Sequence, residues 1–112
     1  HGLDFDPVTN RLFCACDAGR LFTLDTASGK ILHETELSGV PDVIFFNARR
    51  KHLYVAAGDP GVIDVFETDT LKRIKTMPTE KGAHTIGFDA LQNKIYAFLP
   101  ESHRATVYIQ CQ

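Results

Sequence analysis

The sequence predicts an all-β protein built from a repeated unit, and three observations support this. Short stretches with period-two alternation of apolar residues recur along the chain, and no stretch shows a convincing 3.6-residue period. Asp, Asn, Pro and Gly, which favour turns, separate these stretches. Three segments of similar pattern follow one another: HGLDFDPVTNRLFCAC from residue 1, VPDVIFFNARRKHLYVAA from residue 40 and KGAHTIGFDALQNKIYAF from residue 81.

The period of the repeat is 40–43 residues. In the first strand of each unit we align Phe5, Phe45 and Phe88, at steps of 40 and 43. In the second strand the aligned pairs stand at steps of 41 and 42, and they are Leu12-Phe13, Leu53-Tyr54 and Ile95-Tyr96. The sequence therefore predicts one domain with repeats at 1–40, 41–83 and 84–112.

The first unit contains four predicted strands, at 1–5, 11–16, 20–25 and 30–37. Residues 6–10, 17–19 and 26–29 carry Asp, Asn, Pro and Gly and are therefore predicted turns. The second unit follows the same plan at 42–46, 51–57, 62–67 and 71–77. The third unit has predicted strands at 84–88, 94–99 and 106–110, which makes 11 strands in all.

Four short antiparallel strands in about 40–50 residues form the unit of a β-propeller blade. The near-continuous apolar runs RLFCAC and HLYVAA fit strands that are covered on both faces. An immunoglobulin-like sandwich also has regular strands, but it does not predict an internal copy every 40 residues. The predicted fold class is thus all-β, with blades of 4, 4 and 3 strands in an incomplete propeller.

The segment KHLYVAAGDPGVIDVFETDT resembles the repeat of the YVTN-type propellers. GVPDVIFF and KGAHTIGFDALQNKIYAF are similar to the first strands of bacterial YncE-like proteins of that family. WD40 repeats are less similar, because this chain has no Trp. The resemblance implies a periplasmic or secreted propeller of about seven blades, often without a known activity, and this chain is far shorter than that.

Composition excludes several classes of protein. The 12 Lys and Arg and 14 Asp and Glu nearly balance at a net charge of −2, and no charged tract suggests a nucleic-acid partner. No apolar run approaches the roughly 18 residues of a membrane helix. The first residues have no basic segment followed by an apolar one, so no signal peptide is predicted. The chain has no initiator Met, and we expect a mature product or a fragment.

Three residues are candidate metal ligands. His1 and His84 each stand four residues before an aligned Phe, and the middle unit has Pro41 there, followed by Asp42. The first strand of each propeller blade lines the central channel, so these side chains are expected to converge at its mouth. Two imidazoles and a carboxylate suit a transition-metal ion. The alternative is that a His at a strand start hydrogen-bonds a neighbouring loop; no other cofactor is predicted.

The cysteines are predicted to be structural. Cys14 and Cys16 lie two apart on a strand and share one side, and their repeat partners Val55 and Ala57 are apolar, so core packing is expected rather than redox or metal chemistry. Cys111 is expected to be an exposed thiol. His33, His52 and His103 are expected to be solvated, the last in a loop longer than its counterpart.

No nucleophile elbow, zincin, P-loop or dinucleotide-binding motif occurs in the sequence. We therefore expect a non-catalytic binding or scaffold module of unknown ligand. The alternative is a metal-dependent or redox enzyme that uses His1, Asp42 and His84. Because the end blades of so short a propeller would be uncovered, we also expect a homo-oligomer or the remaining blades of a longer chain.

Overall fold

The computed structural model describes residues 1–109, which form three antiparallel sheets and no α-helix. The strands of the first sheet are β1 Gly2–Asp6, β2 Arg11–Cys16, β3 Arg20–Asp25 and β4 Ile31–Glu36. Those of the second are β5 Pro41–Asn47, β6 His52–Ala57, β7 Val62–Glu67 and β8 Lys72–Pro78. The third sheet has β9 Ile86–Asp89, β10 Lys94–Leu99 and β11 Arg104–Ile109. Each sheet pairs its strands in chain order, so the predicted blades of 4, 4 and 3 strands are confirmed.

The three blades lie side by side in an arc. Contacts between blades are concentrated at the first strands, where β1 meets β5 and β5 meets β9. The first strands therefore lie on the inside of the arc, and β4 and β8 lie at its periphery. Cys111, expected to be an exposed thiol, lies outside the described residues.

The turns have the same backbone conformation at equivalent positions of the three blades, even where their residues differ. Left-handed residues recur at steps of 41 and 42 after each first strand, at Asn10, Lys51 and Asn93. They recur at steps of 42 after each second strand, at Gly19, Gly61 and His103. The turn that ends at His103 has the same length as the second blade's turn at 58–61, and one residue more than the first blade's at 17–19, so the prediction of a loop longer than its counterpart in the second unit was wrong.

The strand pairing corrects the alignment of the first strands. Phe5 lies opposite Leu12, Phe46 opposite Leu53, and Phe88 opposite Ile95. The equivalent phenylalanines are therefore Phe5, Phe46 and Phe88, at the same steps as the second strands, and the choice of Phe45 was wrong by one residue. Since neighbouring residues of a strand point to opposite faces, Phe45 lies on the other side of the blade from Phe46.

The core consists of two apolar clusters, one in each gap between blades. Phe13, Ala15 and Leu21 of the first blade pack against Ile44, Leu53 and Val55 of the second. Tyr54, Ala56 and Val65 on the other face of the second blade pack against Ile86, Ile95 and Ala97 of the third. The middle blade is therefore buried on both faces, as the run HLYVAA predicts.

The two end blades are each covered on one face. The uncovered face of the first blade carries Leu3 and Phe5, and that of the third carries Tyr96, Phe98 and Val107. These side chains are 38–65% exposed. The described part of the chain thus contains a regular stack that ends in an apolar face on each side.

Candidate functional site

The candidate site is one end of the blades, which we call the loop rim. It comprises the second turn of each blade (residues 17–19, 58–61 and 100–103) and the two connectors between blades (residues 37–40 and 79–85). Each first strand begins at this end. The opposite end carries the turns at 7–10, 48–51 and 90–93.

The connectors are held tightly on the loop rim. The backbone of Gly39 approaches Asp59 so closely that an added Cβ would lie 2.0 Å from the Asp59 carbonyl oxygen. The Ser38 N–H and hydroxyl donate hydrogen bonds of 2.8 and 2.7 Å to the carboxylate of Asp64, which is 1% exposed. The first connector therefore belongs to a fixed surface rather than to a free loop.

The second connector is fixed by a different residue at the equivalent position. The Glu80 carboxylate accepts hydrogen bonds from the Ser102 hydroxyl at 2.7 Å and from the Ser102 N–H at 3.0 Å. These bonds, the hydroxyl first, hold the pKa of Glu80 below its usual value against the opposing effect of desolvation. Each connector is thus held against the next blade by a hydrogen-bonded carboxylate.

Two adjoining clefts open on the loop rim. The larger, about 590 Å³, lies between the first two blades, and Asp17, Arg20 and Glu36 contribute its charged groups. The smaller, about 280 Å³, lies between the second and third blades and is lined by Asp42, Lys81 and His84. Val40 and Asp59 line both clefts. The rim therefore presents one continuous, shallow surface whose lining carries both signs of charge.

The three predicted metal ligands lie at this end of the blades. His1, Asp42 and His84 each stand four residues before the equivalent residues Phe5, Phe46 and Phe88, but the pairing of β5 shifts its register between Pro41 and Ile44, so it does not place Asp42 in strand register with the two histidines. Asp42 and His84 line the same cleft. The backbone nitrogen of His1 donates a 2.7 Å hydrogen bond to the Pro41 carbonyl.

These three residues do not form a compact ligand group. Within residues 1–109, no three His, Cys, Asp or Glu side chains come close enough together to hold a metal ion. His84 is exposed, and its Nδ1 lies 3.3 Å from the Thr85 hydroxyl. The structure thus brings the residues to one surface without supporting a metal centre, which stays a prediction.

The cysteines lie on the uncovered face of the first blade. Cys14 faces Leu3 across the sheet, and both Cys14 and Cys16 are half-buried, whereas Val55 and Ala57 are 1% exposed. Burial, with a smaller effect of Cys16, raises the pKa of the Cys14 thiol. The repeat position is therefore apolar as predicted, but its burial depends on a neighbouring blade that residues 1–109 do not supply, so expecting core packing was wrong.

The other histidines lie away from the loop rim, except for His103 at its edge. His103 is exposed, as expected. His33 on β4 and His52 on β6 are half-buried, so the prediction that they are solvated was wrong. His52 lies opposite Glu67 across the sheet; desolvation raises the pKa of Glu67, but hydrogen bonds from the Asp69 N–H and from Thr70 outweigh it and hold that pKa below its usual value.

Sequence reasoning missed two buried polar residues. Asp64 lies in a strand whose other residues at 62–66 are apolar. Its carboxylate accepts hydrogen bonds from the Ser38 hydroxyl and, at 2.9 Å, from the Thr76 hydroxyl. Asn47 is 3% exposed, and its amide donates to the Tyr54 hydroxyl at 2.9 Å. An acid inside the run VIDVF is the signal that could have found Asp64, since a buried carboxylate needs several donors.

Comparison with known proteins supports the fold and leaves the function open. No protein-family model matches the chain, and no curated protein matches it. Among solved structures it is similar to Sqt1 of Saccharomyces cerevisiae, with a TM-score of 0.83 and 11% identity over 99% of this chain and 31% of that one. It is also similar to a chain of the mitotic checkpoint complex, with a TM-score of 0.84 and 8% identity over 99% and 36% of the two chains.

A third similar structure comes from hydrazine synthase of Kuenenia stuttgartiensis, with a TM-score of 0.77 and 15% identity over 88% of this chain and 28% of that one. The chain thus spans about a third of the length of these solved structures. At such low identity the similarity shows the β-propeller fold alone. Among the described residues, no helix is long and apolar enough to cross a membrane.

Proposed function

We propose that this chain is a non-catalytic binding module, a segment of a β-propeller that receives its ligand on the loop rim. The observation that carries the proposal is the pair of adjoining clefts that share Val40 and Asp59. Binding sites are usually concave and largely preformed, with a few polar groups that orient the ligand. The rim is shallow but preformed, because both connectors are held in place by hydrogen-bonded carboxylates.

The lining of the smaller cleft defines the chemistry of the ligand. Asp42 and Asp59 offer acceptors, whereas Lys81 and His84 offer donors, and all four border one opening. The rest of the lining is largely apolar, so the cleft suits a small ligand that combines an apolar part with a donor and an acceptor group. An apolar ligand would leave these groups without partners, at a cost of about 1–3 kcal/mol for each one that it buries.

The structural neighbours agree with this function without deciding it. One belongs to a mitotic complex and another to an enzyme, hydrazine synthase, so the fold occurs in both kinds of protein. We assign the chain to the YVTN-type, YncE-like propellers on the pattern of KHLYVAAGDPGVIDVFETDT, together with a periplasmic or secreted location. We also propose that further blades complete the propeller, either from other copies or from a longer chain.

A transition-metal site is the second candidate, and one observation favours it. His1, Asp42 and His84 each stand four residues before an equivalent Phe, at the loop-rim end of the blades, and imidazole and carboxylate are suitable ligands. The side chains are too far apart in this arrangement to act as one group. Metal binding would therefore require them to move, whereas the clefts are already formed.

The test is a fragment screen followed by amide chemical shifts. The probes are small amines, carboxylates and amino acids, and separately zinc and nickel ions, added to the protein without a chelating tag. We expect polar fragments to shift the amides of Gly58, Gly82 and His84 at the loop rim. We expect no shift at the opposite end, at Lys51 or Asn93.

Two variants separate the outcomes. Asp42→Ala combined with His84→Ala should abolish the shifts, whereas the matched control Arg49→Ala, at the opposite end, should keep them. Fragments that bind only at the opposite end, or that bind the double variant equally well, would contradict the proposed function. Stoichiometric metal that is retained through dialysis and lost on His84→Ala would favour the metal site.

A further inference from the structure

Each gap between blades is formed by two different faces of the repeat. We call the face that packs on the preceding blade the entry face, and the one that packs on the following blade the exit face. Leu53 and Val55 lie on the entry face of the second blade, and Tyr54 and Ala56 lie on its exit face. Every gap therefore joins the exit face of one blade to the entry face of the next.

An aromatic pair marks the same place in both gaps. In the first gap, the Phe13 ring on an exit face lies 5.3 Å from the Phe46 ring on an entry face. In the second gap, the Tyr54 ring lies 5.4 Å from the Phe88 ring. Phe13 and Tyr54 are equivalent in the repeat, as are Phe46 and Phe88. The gap is thus one interface that the chain builds twice.

The third copy of this pair is split between the two ends of the stack. Tyr96 is the repeat equivalent of Phe13 and Tyr54, and it lies on the uncovered exit face of the third blade. Phe5 is the equivalent of Phe46 and Phe88, and it lies on the uncovered entry face of the first. Tyr96 is 38% exposed and Phe5 is 41% exposed, whereas Phe13 and Tyr54 are at most 1% exposed.

The residues beside Tyr96 and Phe5 are also equivalent to residues that are buried in the internal gaps. On the exit face, Val107 is the equivalent of Val65, and it is 47% exposed where Val65 is 3% exposed. On the entry face, Cys14 is the equivalent of Val55, and it lies beside Leu3. The uncovered faces are therefore the two halves of the interface that the chain already builds twice.

We propose that a second copy of this chain covers these faces, with the exit face of one copy stacked on the entry face of the other. The contact pairs Tyr96 of one copy with Phe5 of the other, in continuity with the interface that each copy already contains twice. This rests on the proposed function, because it names the source of the further blades. The contact is heterologous, so it grows by addition and ends when the ring of blades closes.

The experiment uses one substitution on each face. Phe5→Asp should block the entry face, and Tyr96→Asp should block the exit face, while each variant keeps both internal gaps. The matched control is Leu91→Asp, which changes an equally apolar side chain in a turn, where it is 86% exposed. In light scattering at tens of micromolar, the unaltered chain and the control should contain two or more copies, and each face variant should be monomeric.

Mixing the two face variants is the decisive measurement. The Phe5→Asp chain keeps its exit face and the Tyr96→Asp chain keeps its entry face, so an equimolar mixture should form a complex of two chains and no larger species. The average mass should therefore rise twofold over that of either variant alone. An interface that uses one face twice would give no such rise and would overturn the proposal.

Two further measurements distinguish loss of the interface from misfolding and from coverage by another partner. Leu3→Asp and Phe98→Asp change the same faces at more exposed positions, and they should reproduce the pattern if either first variant loses its β-sheet spectrum. Labelling of Cys14 by a thiol reagent, read by peptide mass, should be at least several-fold faster in the Tyr96→Asp chain than in the unaltered one. A folded monomeric unaltered chain would overturn the proposal and assign the faces to blades outside this chain, without affecting fragment binding at the loop rim.

Discussion

Thr23 is a threonine at a repeat position that holds valine in the other two blades, as Val65 and Val107. It lies opposite Phe13 and faces the second blade, it is 0% exposed, and its hydroxyl has no hydrogen-bond partner among residues 1–109. A buried hydroxyl without a partner costs about 1–3 kcal/mol. Thr23→Val, which keeps the shape, should therefore raise the free energy of unfolding in urea by about 1 kcal/mol.

Val65 supplies the matched control, because it is the equivalent residue of the middle blade. Val65→Thr should lower the free energy of unfolding by a similar amount, since it creates the defect that Thr23 already represents. If both substitutions destabilise the chain, then the Thr23 hydroxyl has a partner that its surroundings in the structure do not reveal.

The choice between two neighbouring phenylalanines could not be made from the sequence alone. The doublet Phe45-Phe46 offers two aromatics one step apart, and apolar periodicity cannot decide which of them matches Phe5 and Phe88. Only pairing with Leu53 selects Phe46. The same step places Asp42 four residues before its Phe, as His1 and His84 are, although a register shift between Pro41 and Ile44 interrupts the pairing of β5 there.

At the scale of elements, alternation and turn residues predicted all eleven strands, four of them to the residue: Arg11–Cys16, Arg20–Asp25, Val62–Glu67 and Lys94–Leu99. The poorest boundaries are at the third blade, where β9 begins at Ile86 and β11 at Arg104, each two residues from its predicted start. In the second case a histidine occupies the left-handed turn position that glycine holds elsewhere, which hides the turn from composition.

The second connector should make the stability of the chain depend on pH. The pKa of Glu80 is lower when folded than its usual 4.5, chiefly because of the Ser102 hydroxyl, so the ionised form is favoured by folding. This stabilisation is fully present above the usual pKa and is lost as pH falls through the lower, folded pKa. Glu80→Gln should therefore destabilise the chain at pH 7, and the difference should shrink as the pH falls below about 4.5.

Urea unfolding at pH 7, 5 and 3.5 measures this difference. The matched control is Glu101→Gln, which removes an equal charge from an exposed residue of the turn that Glu80 contacts. It should show a smaller loss at pH 7 and a weaker dependence on pH. Parallel behaviour of the two variants would mean that net charge, and not the contact with Ser102, governs the effect.

For the molecule as a whole, the period of the repeat was sufficient to predict stacked blades, because each unit has two apolar faces and must bury both. It was not sufficient to predict which faces are covered. Cys14 and Val55 occupy one repeat position, yet only Val55 is buried, because burial depends on the neighbour and not on the residue. The clefts of the loop rim were hidden for the same reason, since each one forms between two blades.

The burial of the middle blade on both faces has a consequence for how the chain opens. In a linear stack, each unit is stabilised by its own strands and by the neighbours that it touches, so the ends open before the centre. Amide hydrogens of the monomeric Phe5→Asp chain should therefore exchange with solvent slowest in β6 and β7 and faster in the paired strands β3 and β10, and mass spectrometry of peptic fragments measures this directly. Uniform exchange across the three blades would indicate a single cooperative unit, and a gradient would make the central blade the last part of the chain to lose its structure.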